Sequence, residues 1–381
     1  MKIAYYHYTM VKMGGVERIF TEKMNYLADI YGYDVFLITL YQGNHPLYYE
    51  LSSKVKHIDL GIRSHTIYTK PRYQRPFLEY QYNELIRQKF QEIITEINPD
   101  IISAVAGQHT SFILNIQTKA KIIMESHQAR YYTGMDRPRF NPVQMIKNVM
   151  QKHTMKKIEK KCDAIVTLTK DDAKSWNKKK TFVIPNIVTQ KTSCISTNTN
   201  KNVIAAGRLV YQKGFDKLID AWDIVSASKK DWNLNIFGEG ELYNDLQKKI
   251  MLYKLSNSIK IHQPTENIET EFTQSSIFVL SSRYEGFGLV LVEAMQCGVP
   301  CISFDCPHGP SDIIDNGING ILVKNGDIEE FANAILKLID DEELRIKMGK
   351  AAIEKAKDYL PETIMPQWIE LFNNLVIDNN K

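Results

Sequence analysis

The chain has 381 residues, of which 44% are hydrophobic and 24% are charged, the composition of an ordinary soluble globular protein. A chain of this length is too long to fold around one ordinary hydrophobic core and is typical of two domains. The net charge of +4 is too small to indicate nucleic-acid binding. The sequence has no stretch of about 18 apolar residues, so we expect no transmembrane helix.

The opening residues 1–6 are too short an apolar run for a signal peptide and are expected to form a β-strand. The cysteines number five, and we expect free thiols in a reducing compartment, which predicts a cytoplasmic protein. Cys297, Cys301 and Cys306 lie close together in the sequence. Their spacing matches no common zinc site, so we interpret them as core residues.

Short apolar runs alternate with amphipathic stretches through the first half of the chain. The predicted strands are Ile3–His7, Val35–Leu40, Val55–Leu60, Ile101–Ala106, Lys121–Glu125, Ala164–Thr169 and Phe182–Ile184. The predicted helices include Val16–Ile30, Leu78–Ile97 and Pro142–Lys161. Continuous apolar strands that alternate with helices predict an α/β fold with a parallel, doubly wound sheet.

The second half repeats this alternation. Its predicted strands are Asn202–Ala206, Trp232–Phe237, Ile259–His262, Ile277–Ser281, Pro300–Phe304 and Ile321–Val323, with helices such as Phe215–Ser228 and Glu241–Leu252. Residues 189–201 are rich in Ser, Thr and Asn, which is typical of a linker. We therefore predict Rossmann-like domains over 1–188 and 202–360, which face each other across a cleft. A last helix, within 361–381, is expected to cross back to the first domain.

The segment from Ser281 to Met295 follows an apolar strand and opens a helix. Gly286 and Gly288 allow the backbone to approach a ligand, and the start of a helix favours a phosphate. Glu285 and Glu293 could accept hydrogen bonds from the hydroxyls at the two ends of a sugar nucleotide. The alternative is a simple turn with solvated glutamates.

A second segment, from Ala206 to Phe215, ends the first strand of the second domain. Its cations Arg208 and Lys213 could stabilise the charge on a diphosphate leaving group, as a metal ion does in other enzymes. The chain contains no Asp-x-Asp pair, which is the usual metal–diphosphate clamp. We therefore expect neither a metal nor another cofactor. The alternative is a pair of surface cations.

In the first domain, Gly14 and Gly15 lie between the first strand and the first helix, where they could admit a phosphate or an acceptor hydroxyl. His127 follows the strand Lys121–Glu125 and is placed to contact the transferring sugar or to stabilise charge. His109 is a second candidate. Either histidine could instead be a packing residue.

Together these residues resemble the retaining glycosyltransferase family four, which has the two-domain GT-B fold. The matching segments are Gly14-Gly15, His127, Ile184-Pro185-Asn186, Gly207-Arg208-Leu209, Lys213-Gly214, Phe237-Gly238-Glu239-Gly240 and Glu285-x7-Glu293. The resemblance implies a donor site made of Gly14, Gly15, Gly207, Arg208, Lys213, Gly238, Glu285, Gly286, Phe287, Gly288, Leu289 and Glu293. It also implies that Arg208 and Lys213 bind the donor diphosphate. Glu293 would bind the ribose, and Glu285, with the amides of 287–289, the sugar and phosphate. It implies further that His127, Glu285, Arg208 and Lys213 are catalytic, and that retention proceeds by front-face attack without a protein nucleophile.

Residues 302–314 resemble a subgroup that builds bacterial surface polysaccharides such as capsule or lipopolysaccharide, although His308, Asp312 and Gln263 depart from the family pattern. We expect transfer of a hexose or N-acetylhexosamine from a UDP-sugar to a glycan acceptor on a lipid carrier. A GDP-mannose-dependent mannosyltransferase is the alternative. The rival hypotheses are a non-catalytic sugar-nucleotide binder and a nicotinamide-dependent oxidoreductase, and the latter would need a three-glycine fingerprint that the sequence lacks.

A basic segment extends from Arg130 to Lys161, where nine Lys and Arg residues stand against two Asp and Glu residues. Its interleaved apolar residues are Tyr131, Tyr132, Phe140, Met145, Ile146 and Met150. Such a segment can hold an enzyme on anionic lipid, and a solvated helix face is the alternative. Peripheral contact with the inner face of the cell membrane therefore remains open.

Overall fold

The computed structural model describes residues 1–127, 130, 142–189 and 194–377, without the side chains of 108 and 142–147. The strands of the first half are β1 (Lys2–His7), β2 (Asp34–Thr39), β3 (Lys56–Asp59), β4 (Ile101–Val105), β5 (Lys121–Ser126), β6 (Ala164–Thr167) and β7 (Thr181–Val183). They form one parallel sheet in the order β3-β2-β1-β4-β5-β6-β7. The α-helices between them are α1 (Gly15–Asp29), α2 (Arg75–Ile97), α3 (Pro142–Lys161) and α4 (Lys170–Ala173).

The second half builds another parallel sheet. Its strands are β8 (Asn202–Ala206), β9 (Asn233–Phe237), β10 (Ile259–His262), β11 (Ile277–Leu280), β12 (Cys301–Asp305) and β13 (Gly320–Lys324), in the order β10-β9-β8-β11-β12-β13. Its helices are α5 (Phe215–Ser228), α6 (Tyr243–Leu252), α7 (Ile268–Thr273), α8 (Leu289–Gln296), α9 (Pro310–Ile313), α10 (Ile328–Asp340) and α11 (Glu342–Ala356), and α12 (Pro361–Ile377) ends the described chain. The predicted pair of doubly wound parallel sheets is confirmed.

Every predicted strand is present, with ends shifted by at most two residues. The strand predicted over Ala164–Thr169 ends earlier, because Thr169 caps α4 and its hydroxyl accepts a hydrogen bond from the Asp172 amide. The helix predicted from Leu78 begins at Arg75, since a proline is tolerated in the first turn of a helix. Local chemistry at the ends of the elements therefore accounts for these differences.

The last helix, α12, packs on the first domain although it follows the second in sequence. Met365, Trp368 and Phe372 share one buried core with Ile3 and Tyr5 of β1. Of the predicted linker over 189–201, residues 190–193 lie outside the described residues. In the described part of the chain, no helix is long and apolar enough to cross a membrane.

The strand orders fix where ligands can bind. In the first sheet the order reverses between β1 and β4, and in the second it reverses between β8 and β11. Crevices open at the carboxyl ends of parallel strands where the order reverses. The loops that follow β1, β8 and β11 carry the glycine, arginine, lysine and glutamate motifs of the sequence analysis. The fold therefore brings these motifs to the same place.

Candidate active site

A cleft of about 940 Å³ lies between the two domains. Its walls include His127 and every residue of the predicted donor site: Gly14, Gly15, Gly207, Arg208, Lys213, Gly238, Glu285, Gly286, Phe287, Gly288, Leu289 and Glu293. The second candidate histidine, His109, lies near Tyr8 and is not among the described residues that line this cleft. The structure thus brings together residues that are up to 279 positions apart, from Gly14 to Glu293.

Two loops of the second domain, 207–213 and 281–288, are bound to each other by hydrogen bonds. The Arg283 guanidinium donates to the Tyr211 carbonyl at 2.7 Å and pairs with the Asp216 carboxylate at 2.6 and 2.8 Å. The Gln212 side chain donates to the Tyr284 carbonyl at 3.1 Å. These bonds hold the loop that carries Lys213 against the loop that carries Glu285.

Lys213 and Glu285 form an ion pair, with Nζ 2.7 Å from Oε1. The Ser282 hydroxyl donates to the same carboxylate oxygen at 2.5 Å. The carboxylate is buried, whereas Arg208 is exposed, with its guanidinium 3.5 Å from the Gln212 side-chain oxygen. The resemblance assigned Lys213 to the diphosphate and Glu285 to the sugar. In this structure each of the two neutralises the other, so donor groups would have to share or replace that contact.

Two helices begin at the cleft and face each other. A Cβ placed on Gly15, at the start of α1, would lie 3.4 Å from the Leu289 side chain at the start of α8. Gly288 precedes α8 with a φ of 94°, a conformation that favours glycine. The free amides and positive ends of both helices suit an anion. Glu17, in the first turn of α1, folds back over Gly14 and would compete with an anion there.

Arg18 is a cleft residue that the sequence analysis did not assign. Its guanidinium pairs with Glu293 of the second domain and, at 2.8 Å, with Glu22. Burial acts to lower the pKa of Arg18, but the two carboxylates raise it overall, so this side chain stays charged. The carboxylate that the resemblance assigns to the ribose is therefore bound across the domain interface in this structure.

His127 lines the cleft, but its ring is mostly buried and its Nε2 lies 3.0 Å from the Glu125 carboxylate. Glu125 also accepts hydrogen bonds from Lys23 at 2.6 and 2.7 Å. Burial acts to raise the pKa of Glu125, yet the Lys23 ammonium and the His127 hydrogen bond lower it to about 2. The sequence analysis found the histidine but not the two charged residues behind it.

Known glycosyltransferases are similar to this chain in sequence. Residues 190–355 match the sequence profile of the family described as glycosyl transferases group 1. An uncharacterized glycosyltransferase of Haemophilus influenzae is 28% identical over 374 residues, which are 96% of this chain and 98% of that protein. The chain is therefore a glycosyltransferase, and its residues 190–355 match the glycosyl transferases group 1 family.

Two further proteins are similar to this chain in sequence or in fold. The amylovoran biosynthesis glycosyltransferase AmsD of Erwinia amylovora is 33% identical over 222 residues, which cover 55% of this chain and 62% of that protein. A mutant of Staphylococcus aureus TarM, solved with fondaparinux, alpha-GlcNAc-glycerol and UDP, aligns with a TM-score of 0.77 at 17% identity, over 98% of this chain and 99% of that one. The predicted GT-B fold is confirmed.

Several residues of this glycosyltransferase cleft were not predicted as site residues. Tyr48 and Tyr49 come from the loop after β2, residues 264–266 come from the loop after β10, and residues 268 and 269 come from the start of α7. The Tyr48 hydroxyl donates to Glu266 of the other domain at 3.3 Å. Asn186 belongs to the matching segment Ile184-Pro185-Asn186, so the sequence could have identified it as a site residue. The loop residues carry no motif, and only the fold brings them to the cleft.

The departures from the family pattern lie outside the cleft. His308 pairs with Asp171 at 2.9 Å, and Asp312 accepts a hydrogen bond from the Lys170 amide at 3.2 Å. Both therefore contact α4 of the first domain. Gln263, like His308 and Asp312, is not among the described residues that line the cleft. These three departures consequently leave the described walls of the cleft unchanged.

None of the five cysteines forms a disulfide, and Cys297, Cys301 and Cys306 are buried, as predicted. Burial raises the pKa of Cys297 to about 12 and raises those of Cys301 and Cys306 further. Such thiols pack as small apolar residues and have little nucleophilic character. Among the described residues, no group of three or more His, Cys, Asp or Glu side chains is arranged to hold a metal ion.

Proposed function

We propose that this glycosyltransferase moves a hexose or N-acetylhexosamine from a UDP-sugar to a glycan acceptor and retains the anomeric configuration. One observation carries the proposal: Arg208, Lys213 and the start of α8 converge in one cleft between the domains. Two cations and a helix N-terminus are a strong site for a diphosphate. The reaction would take place in the cytoplasm, with no metal ion.

The nucleotide and the acceptor are inferred from relatives. The TarM mutant was solved with UDP, and AmsD is named for the biosynthesis of a polysaccharide. These names favour a UDP-sugar over GDP-mannose and a growing surface polysaccharide over a small acceptor. An acceptor held on a lipid carrier would place the reaction beside the membrane.

In the proposed reaction, the bond between the anomeric carbon and the diphosphate breaks while the acceptor hydroxyl attacks the same face. A diphosphate oxygen takes the hydroxyl proton, and UDP leaves. Arg208, Lys213 and the amides at the start of α8 would stabilise the charge that develops on the leaving group. Glu285 is paired with Lys213 at 2.7 Å, so its role is to orient that ammonium and bind sugar hydroxyls rather than to act as a nucleophile.

The first test is thermal unfolding of the protein with UDP, GDP and ADP, each with and without EDTA. We expect UDP to raise the melting temperature most, because a ligand at about 100 times its dissociation constant stabilises by roughly 2.7 kcal/mol. EDTA should not change this increase, since protein cations replace the metal. When a purified donor and acceptor are then added to the protein, we expect sugar transfer, which is measured as the release of UDP.

Other outcomes of the same screen would favour the alternatives. A larger shift with GDP would favour a mannosyltransferase, and loss of the UDP shift in EDTA would contradict metal independence. Nucleotide binding without hydrolysis or transfer with any glycan acceptor would indicate a non-catalytic binder. No shift with any of the three nucleotides would end the proposal.

We also propose that the first domain contacts anionic lipid through α2 and α3. The two helices share one buried core and therefore pack on the same face of the sheet. Tyr73, just before α2, and Phe77 and Tyr80, in its first turns, are 65–80% exposed. Val149 and Met150 are exposed on α3. Exposed aromatic rings beside cations bind the headgroup region of a membrane. Residues 131–141 of the predicted basic segment lie outside the described residues.

We expect the protein to sediment with vesicles that contain phosphatidylglycerol and to remain in solution with phosphatidylcholine alone. The double variant Tyr73→Ser/Phe77→Ser should lose most of this binding, while transfer to a water-soluble acceptor stays unchanged. The control is Met251→Ser/Leu252→Ser, which alters equally exposed residues on α6 of the other domain. Equal binding by both double variants would contradict the surface assigned here.

A further inference from the structure

A charged cluster is buried directly behind the cleft histidine. Lys23 of α1 and Glu125 of β5 are each 1% exposed, and their charged groups lie 2.6 and 2.7 Å apart. Glu125 also accepts a hydrogen bond from the Ser103 hydroxyl of β4 at 2.7 Å. The Nε2 of His127 lies 3.0 Å from the second oxygen of the same carboxylate.

Aromatic rings enclose the Lys23 ammonium. The ring of Trp368, from α12 at the end of the described chain, has its centroid 3.8 Å from Nζ. The rings of Phe20 and Tyr5 lie at 5.1 and 5.4 Å. A cation over a ring is stabilised most where water is excluded. The last helix of the chain thus reaches a cluster that ends at the wall of the cleft.

Stability alone does not explain this cluster. Two charges must be taken out of water, and apolar residues of similar volume often stabilise a core as well or better. Burial itself lowers the pKa of Lys23, and the attraction of Glu125 offsets this only in part. A function that needs a fixed carboxylate behind His127 accounts for the arrangement better.

The carboxylate decides which nitrogen of His127 carries the proton. Glu125, with its pKa lowered to about 2, is ionised throughout the range in which enzymes work. An ionised carboxylate only accepts hydrogen bonds. The Nε2 of His127 must therefore donate, which leaves Nδ1 as an acceptor while the ring is neutral.

We propose that Lys23 and Glu125 are positioning residues for His127: Glu125 fixes the ring and its tautomer, and Lys23 balances the carboxylate so that the ring stays neutral. In the proposed transfer, on which this role rests, Nδ1 would accept a hydrogen bond from a hydroxyl of the sugar. Trp368 supports the cluster by enclosing Lys23. Besides Lys23 and Glu125, His7 of β1 acts electrostatically on His127, and Tyr5 of β1 faces Glu125.

The test compares the variant Lys23→Met with the wild type. Without the ammonium, the carboxylate favours a protonated His127, so we expect the acid limb of the pH–rate profile to move up by about one pH unit or more. The kcat should fall by about 10²-fold through lost positioning, with the donor KM little changed. Histidine ¹⁵N NMR, assigned through His127→Asn, should show an unprotonated Nδ1 in the wild type at pH 7 and a protonated ring in the variant.

The chain offers a matched control in its second domain. Arg345 is a buried cation, 2% exposed, that lies 5.3 Å from the Trp232 ring and donates to the Asn198 carbonyl at 2.7 Å. Arg345→Met and Trp232→Leu should lower the melting temperature but leave the pH profile and the His127 resonances unchanged. Trp368→Leu should instead move both in the same direction as Lys23→Met.

The double variant Lys23→Met/Glu125→Gln removes both charges and keeps an acceptor beside His127. We expect it to be more stable than Lys23→Met and to recover the acid limb of the wild type. If Lys23→Met only lowers the melting temperature, like Arg345→Met, the pair is structural and the proposal is wrong. The NMR result stands even if no sugar donor is turned over, which separates this proposal from that of the function.

Discussion

Replacing Lys213 with methionine is expected to lower the kcat of sugar transfer by about 10²–10³-fold, because one of the cations that we propose to stabilise the departing diphosphate is lost. Methionine keeps the length and most of the volume of the side chain. Glu285, 5% exposed, then retains the hydrogen bond from Ser282 but loses its counter-charge. Initial rates of UDP release at several donor concentrations would measure kcat and KM separately.

The matched control for this variant is Lys217→Met. Lys217 lies in the first turn of α5, just after the loop that carries Lys213, with its ammonium 5.4 Å from the Phe304 ring, and is not among the described residues that line the cleft. Its loss removes the same charge from a nearby position but not from the site, so kcat should stay near that of the wild type. Equal losses in both variants would show that the effect of Lys213 comes from net charge or folding.

The strands and helices could be predicted because each depends on a short stretch of sequence. Apolar runs and periodicity placed all the strands, and even the helix Phe215–Ser228 has its predicted ends. The motifs of the predicted donor site could be identified for the same reason, since the glycine, basic and acidic residues of each motif lie close together in the sequence. The carboxyl ends of parallel strands lie at the same edge of a sheet, so the loops that follow these strands reach one cleft.

The residues that sequence reasoning missed are defined by partners far away in the chain. Lys23 and Glu125 are 102 positions apart, and Arg18 and Glu293 are 275 apart. On an amphipathic helix, a lysine or arginine is most often a solvated residue. No local feature of the sequence therefore marks Lys23 as buried or Arg18 as a bridge between the domains. Only the packing of α1 against β5 and α8 gives them their role.

Replacing Gly309 with alanine is expected to weaken donor binding by about 100-fold or more, because the displacement of a binding group by about 1 Å can have an effect of that size. Its φ is 125°, and a Cβ there would lie 2.0 Å from the Phe287 carbonyl oxygen. Phe287 belongs to the loop that leads into α8, and the Glu285 amide donates to the Pro307 carbonyl at 3.0 Å. The clash would therefore push the loop that we propose to bind the phosphate away from its support. Isothermal titration with UDP would measure the loss.

The control Gly317→Ala separates this clash from backbone strain. Gly317 also has a positive φ, of 81°, but a Cβ there meets nothing within 4 Å. Strain alone costs about 1–2 kcal/mol, and overpacking adds about 1–3 kcal/mol, so Gly309→Ala should destabilise the protein more in thermal unfolding. Only Gly309→Ala should lose UDP affinity, because only Gly309 supports the loop of α8. Normal UDP affinity in a folded Gly309→Ala variant would show that the diphosphate does not depend on this loop.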